Sequence, residues 1–340
     1  MLFKPIFLSF LLIYLLFINN LFSEEIDRIQ LLNEAYHWMY QIQGLEEENA
    51  IDLLAQSYYP LIVIDPIYTV KGNRKFDIQS ALEKLRFLPN GRRRLIIAYI
   101  DIGQAEDYRT YWKNDWIPPT DFQKGYPSFL VTIDPDGWSG NYPVAYWNKK
   151  WKKIWLQDGI IQDLAKKGFD GVYLDWIESY DDKHVKIRAQ AKNKNTAQEM
   201  FRFIKKIRQK AQDITPDFLI MAQNVPYLLD ENPEEYSSVI DAVGFEDTWY
   251  SGEADSDWDN PDGGDIPNDN EADDQYSTQN LVTQYQKYMD LGIPVFTVDY
   301  CIDSDNADFV YQNSKKLNFR PLVTRVSLSQ MTETPPPDLE

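Results

Sequence analysis

Asp175 and Glu246 each stand where a charge has no packing reason to be. Asp175 closes the apolar run Gly171, Val172, Tyr173, Leu174, and Glu246 closes Val243, Gly244, Phe245. An acid at the end of such a run must meet solvent or a ligand, because an unpaired charge is costly to bury. His37 and His184 are the only imidazoles and Cys301 the only thiol, so neither a zinc site nor a cysteine nucleophile is expected, and Cys301 reads as a packed residue. Proton transfer must therefore come from carboxyl groups. Two carboxyls suffice to cut a glycosidic bond when one is kept protonated as the acid and the other ionised as nucleophile or base.

Other short β-rich runs end the same way. Asp65, Asp101, Asn224, Asp247 and Asp299 each follow one. Asp also favours helix caps and turns, so Asp65 and Asp101 read equally well as turn residues. The runs themselves are His37 to Gln43, PLIVID at Pro60, RLIIAYID at Arg94, GVYLD at Gly171, FLIMAQN at Phe218, AVGFED at Ala242, PVFTVDY at Pro294 and PLVTRV at Pro321. Helical spacing separates them, over 46–56, 77–88, 151–167, 196–213, 233–239, 277–291 and 306–317. Eight alternating strands and helices fit a (β/α)8 TIM barrel of the α/β class better than an open sheet. Phe129 to Asp134, FLVTID, is equally strand-like; it is assigned to a long excursion after the third strand, with displacement of the first strand as the alternative.

That fold would collect the strand-end acids at one mouth, where alternate strands supply the same interior layer and Asp175 and Glu246 can face each other. Trp176 and Trp249 flank strand-end acids and are expected in the site, since flat aromatic faces bind sugar rings. Asp255, Asp257 and Asp259 have the spacing of a calcium loop, but Asn260 stands where such a loop needs Gly and Ile266 where it needs Glu, so no metal is expected. Arg92, Arg93 and Arg94 precede a strand and read as a solvated edge.

The balance of 53 Asp and Glu against 34 Lys and Arg gives a net charge of −19, which repels phosphate backbones and argues against nucleic acid as a partner. Ten acids and no base fall between Glu253 and Asp274, which must be a loop. Lys4 and the apolar run from Ile6 to Ile18 resemble an export signal, so residues 1–23 are expected to be a cleaved leader and the protein secreted or periplasmic; membrane anchoring by this segment is the alternative. Residues 24–332 then form a single catalytic domain, and 333–340 a Pro-rich tail expected to be poorly ordered.

Several stretches carry a family likeness: YQIQG at Tyr40, LIVID at Leu61, YIDIGQAEDYRTYW at Tyr99, GNYPVAYWNKKW at Gly140, FDGVYLDWIE at Phe169 and GFEDTWY at Gly244. In these the chain resembles the secreted endo-α-1,4-polygalactosaminidases of glycoside hydrolase family 114. The resemblance implies a (β/α)8 barrel, no cofactor, and a cationic, partly deacetylated galactosamine polymer as substrate. It also implies that Asp175 attacks the anomeric carbon while Glu246 acts as acid and then base, in a retaining, endo-acting reaction. Tyr99, Gln104 and Tyr173 lie in the matching stretches and join Asp65, Asp101, Trp176, Asn224, Trp249 and Asp299 as candidate substrate-binding residues. Gln104 stands where the family commonly carries Glu. Two other functions fit the same residues: a non-catalytic carbohydrate-binding envelope protein, and a hydrolase of another α-linked hexose polymer.

Overall fold

A computed structural model describes residues 26–268 and 274–339. The leader at 1–23 and Asp269, Glu271 and Asp273 of the acidic loop lie outside them. Eight strands form one sheet: β1 (Trp38–Gln41), β2 (Leu61–Ile64), β3 (Leu95–Asp101), β4 (Gly171–Asp175), β5 (Leu219–Gln223), β6 (Ala242–Glu246), β7 (Val295–Tyr300) and β8 (Arg320–Thr324). Each pairs in parallel with the next. Their runs are apolar because a parallel sheet is covered on both faces, and β1 to β3 are buried throughout.

Side chains between β8 and β1 bring the barrel near to closure. Arg320 Nη1 donates to the carbonyls of Leu32 and Ala35 at 2.6 and 3.2 Å, and Nη2 to that of Asn33 at 3.0 Å. Toward the mouth, the N–H groups of Ile42 and Gln43 both reach the carbonyl of Leu328. Aromatic rings fill the interior. Trp38 of β1 meets Phe296 of β7 at 5.5 Å between centroids, and Tyr40 of β1 meets Tyr173 of β4 at 5.2 Å. Rings on strands that are not neighbours can touch only through the barrel. Gly244 makes room for them, since a Cβ there would lie 2.2 Å from the Tyr173 hydroxyl.

The outer layer begins with α1 (Arg28–Glu34), α2 (Ala50–Gln56) and α3 (Ile78–Leu85) and continues with α4 (Lys149–Leu156), α5 (Ile160–Lys167), α6 (Lys183–Gln190) and α7 (Thr196–Gln212). It ends with α8 (Leu228–Glu231), α9 (Pro233–Ser237), α10 (Thr278–Asp290) and α11 (Ser304–Lys316). Side-chain oxygens of Asp77, Asn195 and Asp303 cap α3, α7 and α11 by accepting from the first turn. The single helix expected over 151–167 is two, because Gly159 between α4 and α5 sits at φ +89°.

FLVTID lies in the excursion after β3, where Leu130 makes only an isolated bridge to Val144; a short hairpin pairs Gln104–Glu106 with Asn141–Pro143. The acidic loop carries a 3-10 turn, Pro261–Gly263, and its Ile266–Pro267 pairs with Tyr250–Ser251.

One expectation about charge is corrected. Arg93 and Arg94 are not a solvated edge: Arg93 grips Asp170 with Nη2 at 2.7 and 2.8 Å, and the fully buried Arg94 donates to the carbonyls of Tyr59, Leu85 and Ser57. The carbonyls of Ser57 and Leu85 lie at the ends of α2 and α3, where a cation suits the helix dipole. Residues 333–339 lie against the barrel. Tyr311 donates to the Thr334 carbonyl, and Leu339 packs on the core.

Candidate active site

The C-terminal strand ends open into a cleft of about 800 Å³. Its wall takes Tyr40 from β1, Asp65 after β2, Tyr99 from β3, Asp175 from β4, Gln223 and Asn224 at β5, Glu246 and Asp247 at β6, and Tyr300 from β7. Asp175 and Glu246 thus project into one space from alternate strands. Both remain partly accessible.

Each carboxylate is held at both oxygens. Asp175 Oδ2 accepts from the Tyr99 hydroxyl in a short bond, and Oδ1 accepts from the Trp176 N–H at 2.7 Å. Glu246 Oε1 accepts from the Tyr300 hydroxyl at 2.5 Å; Oε2 accepts from Gln223 Nε2 at 2.8 Å and Asn224 Nδ2 at 2.6 Å. Asn224 also accepts the Glu246 N–H, so one amide fixes both the backbone and the carboxyl of that residue. Burial, then the charge of Glu246, push the Asp175 carboxyl up to about 7 against the opposing bonds from Tyr99 and Trp176. Near neutral pH the Asp175 carboxyl therefore still binds a proton.

The backbone directly after β4, β5 and β6 enters the left-handed region, at Trp176 (φ 54°), Asn224 (φ 48°) and Asp247 (φ 58°). Asn and Asp accept this conformation readily. A bulky residue such as Trp176 bears strain of about 1–2 kcal/mol.

The other candidates separate into two groups. Asp65, Tyr99, Gln104, Trp176 and Asn224 lie on the cleft wall. Asp65 is clasped by Arg109, whose Nη1 and Nη2 reach its oxygens at 2.8 and 2.5 Å. Gln104 is fully buried and donates to Asp134 Oδ2 at 2.5 Å. Asp101, Tyr173, Trp249 and Asp299 are not on the wall. Asp101 is sealed and caps its own turn through the N–H groups of Gly103 and Gln104, at 3.0 and 2.7 Å. Asp299 is sealed likewise under the N–H groups of Trp249 and Tyr250, at 2.6 and 3.0 Å, and burial pushes it up to about 7. Tyr173 belongs to the barrel interior, and Trp249 packs against the core from a half-buried position. Sequence reasoning missed Gln223, Tyr300, Arg109 and Glu178 as wall residues. Gln223 and Tyr300 could have been found as polar neighbours of residues already chosen at the ends of their strands.

An eight-stranded parallel barrel with two hydrogen-bonded carboxyls in an open mouth defines a barrel enzyme of the glycoside-hydrolase class. The family model described as glycoside-hydrolase family GH114 matches residues 34–339, and the chain belongs to that family. It is a glycosidase acting on carbohydrate polymers. An uncharacterized protein of Deinococcus radiodurans is 27% identical over 303 residues, covering 88% of this chain and 83% of that one. Another, from Methanocaldococcus jannaschii, is 35% identical over 230 residues, covering 65% of this chain and 58% of its own. The glycoside hydrolase domain of PelA from Pseudomonas aeruginosa shares the fold with a TM-score of 0.58 at 14% identity, covering 88% of this chain and 98% of that domain. Aspergillus fumigatus Ega3, solved in complex with galactosamine, does so at 0.53 and 15%, covering 87% and 94%.

Proposed function

We propose that the protein is an endo-acting, retaining hydrolase of an α-linked amino-sugar polysaccharide of the galactosaminogalactan kind. The observation that carries this reading is the presence of Asp175 and Glu246 in one cleft, each oriented by donors at both oxygens. In the reacting state Asp175 is ionised and Glu246 carries the proton; Asp175 attacks the anomeric carbon as Glu246 protonates the departing oxygen. Glu246 then takes a proton from water, whose oxygen displaces Asp175 from the sugar. Tyr99 keeps Asp175 in its attacking orientation; Gln223, Asn224 and Tyr300 do the same for Glu246.

Charge supports the substrate class. Nine acids stand on the wall against one base among the described residues, Arg109, whose five hydrogen bonds already go to Asp65, Glu106 and Thr69. Such a wall suits a cationic chain, and Ega3 was solved with an amino sugar. The leader-like N-terminus supports an activity outside the cytoplasm. Among the described residues no helix is long and apolar enough to cross a membrane.

Purified protein should release oligosaccharides from a deacetylated galactosamine polymer with the α configuration kept. Asp175→Asn and Glu246→Gln should each lose about a thousandfold or more in kcat. An aryl galactosaminide with an acidic leaving group separates their roles: it needs no protonation, so Glu246→Gln should retain its first, glycosylating burst and Asp175→Asn should not. Full turnover by both variants, or inverted products, would defeat the mechanism.

A further inference from the structure

Glu178 is a third carboxyl on the cleft wall that bond cleavage does not require. It lies in the 3-10 turn Ile177–Tyr180 that follows Asp175 and Trp176, and its Oε2 is buried without a hydrogen-bond partner. The charges pressing on it are Asp175 of β4, Glu246 of β6 and Asp101 of β3. The phenols of Tyr173, Tyr236 and Tyr276 also feel its charge. Arg109, the one base on the described wall, has no donor to spare. Burial, and then the charge of Asp175, hold the Glu178 carboxyl well above the usual carboxylate range. Asp247 is also unpaired at Oδ1, but it is pressed by Glu246 and Asp299 and not by Asp175. Glu178 alone of the two is coupled to both members of the pair.

We propose that Glu178, an unpartnered carboxyl on the cleft wall, distinguishes an ammonium-bearing sugar from a neutral one by accepting an N–H from the ammonium. The proposal rests on the amino-sugar reading above. On binding, a protonated carboxyl loses its O–H proton to solvent, and the resulting carboxylate accepts an N–H from the ammonium, which keeps all its protons. One cation enters as one proton leaves, so the net charge of the site is conserved. An N-acetylated sugar offers an N–H dipole without a charge and expels no proton. Preference for the charged sugar must therefore grow with pH, by up to about tenfold per unit while Glu178 is neutral in the empty site.

The test compares kcat/KM for a deacetylated α-1,4-galactosamine polymer with that for its N-acetylated form, over about pH 5 to 7. In the unaltered protein the ratio should climb with pH. Glu178→Gln should lower it by about tenfold or more and remove the slope, as expected for a lost charged hydrogen bond. Glu178→Asp, which keeps the carboxyl, should restore the slope with an intermediate ratio. A purely structural role would depress both polymers equally. A ratio independent of pH in the unaltered protein, or a Gln variant with an unchanged ratio and slope, overturns the role of Glu178 alone. Failure of the unaltered protein to cleave either polymer overturns the amino-sugar reading and this inference with it.

Discussion

Asp175 sits at a cost to the fold. Its carboxyl is pushed up to about 7 by burial and by Glu246, whereas in the unfolded chain it ionises near the usual value of about 3.9. Between those two values the folded state binds the extra proton. Stability from this group is therefore full below about pH 4 and falls as the pH rises through the window toward 7. Asp175→Asn escapes the loss. Its melting temperature should exceed that of the unaltered protein by about 3 °C or more at pH 8, and the difference should shrink toward zero at pH 4. Scanning calorimetry at the two pH values checks this, and a pH-independent difference would refute it. The same residue shows what sequence can tell. An acid after an apolar run marks Asp175 and Glu246, but it marks Asp101 and Asp299 equally, and these bond to the N–H groups of nearby loops. Whether a strand-end acid faces ligand or backbone depends on how the chain turns next. Composition does not encode that turn.

Those turns are properties of elements. The chain after β4 makes a left-handed step at Trp176, and Gly103 from the loop after β3 is pressed against it; a Cβ at Gly103 would lie 1.9 Å from the Trp176 carbonyl oxygen. Gly103→Ala must displace the peptide whose neighbouring N–H holds Asp175. It should cost about 2–3 kcal/mol of stability and at least about tenfold in kcat. Gly159→Ala is the control. Nothing lies within 4 Å of its added Cβ, and only the φ of +89° resists it, so a loss of about 1–2 kcal/mol with kcat unchanged is expected. Urea midpoints and initial rates separate the two cases; equal effects on kcat would show that the Gly103 contact does not position the site. Helical spacing revealed the apolar face shared by α4 and α5 but not the break between them. Gly159 is compatible with a continuous helix until tertiary packing demands two directions. Arg94 misled for a related reason. Its partners are carbonyls at the ends of α2 and α3 and at Tyr59, and no sequence motif announces a carbonyl.

At the scale of the whole molecule, the eightfold alternation was readable because the strands are apolar runs and most of the long helices between them carry an apolar stripe. The junction of β8 with β1 was not, since the Arg320 guanidinium and the Leu328 carbonyl close it against backbone groups that every residue possesses. Charge was legible in full. The net −19 and the acids of the 253–274 loop agree with a cleft whose described wall carries one base, already engaged. A field of that sign raises the local concentration of a cationic chain, and salt weakens it as the screening length falls from about 30 Å at 0.01 M to about 8 Å at 0.15 M. The value of kcat/KM for a deacetylated galactosamine polymer should therefore drop by about tenfold between those ionic strengths. That for the fully acetylated polymer should change by less than about twofold, because an uncharged chain is not steered. The drop should appear in KM with kcat held, since the field acts on the encounter and the paired carboxyls act after it. Equal salt dependence for the two polymers would mean that the surplus acids serve solubility alone.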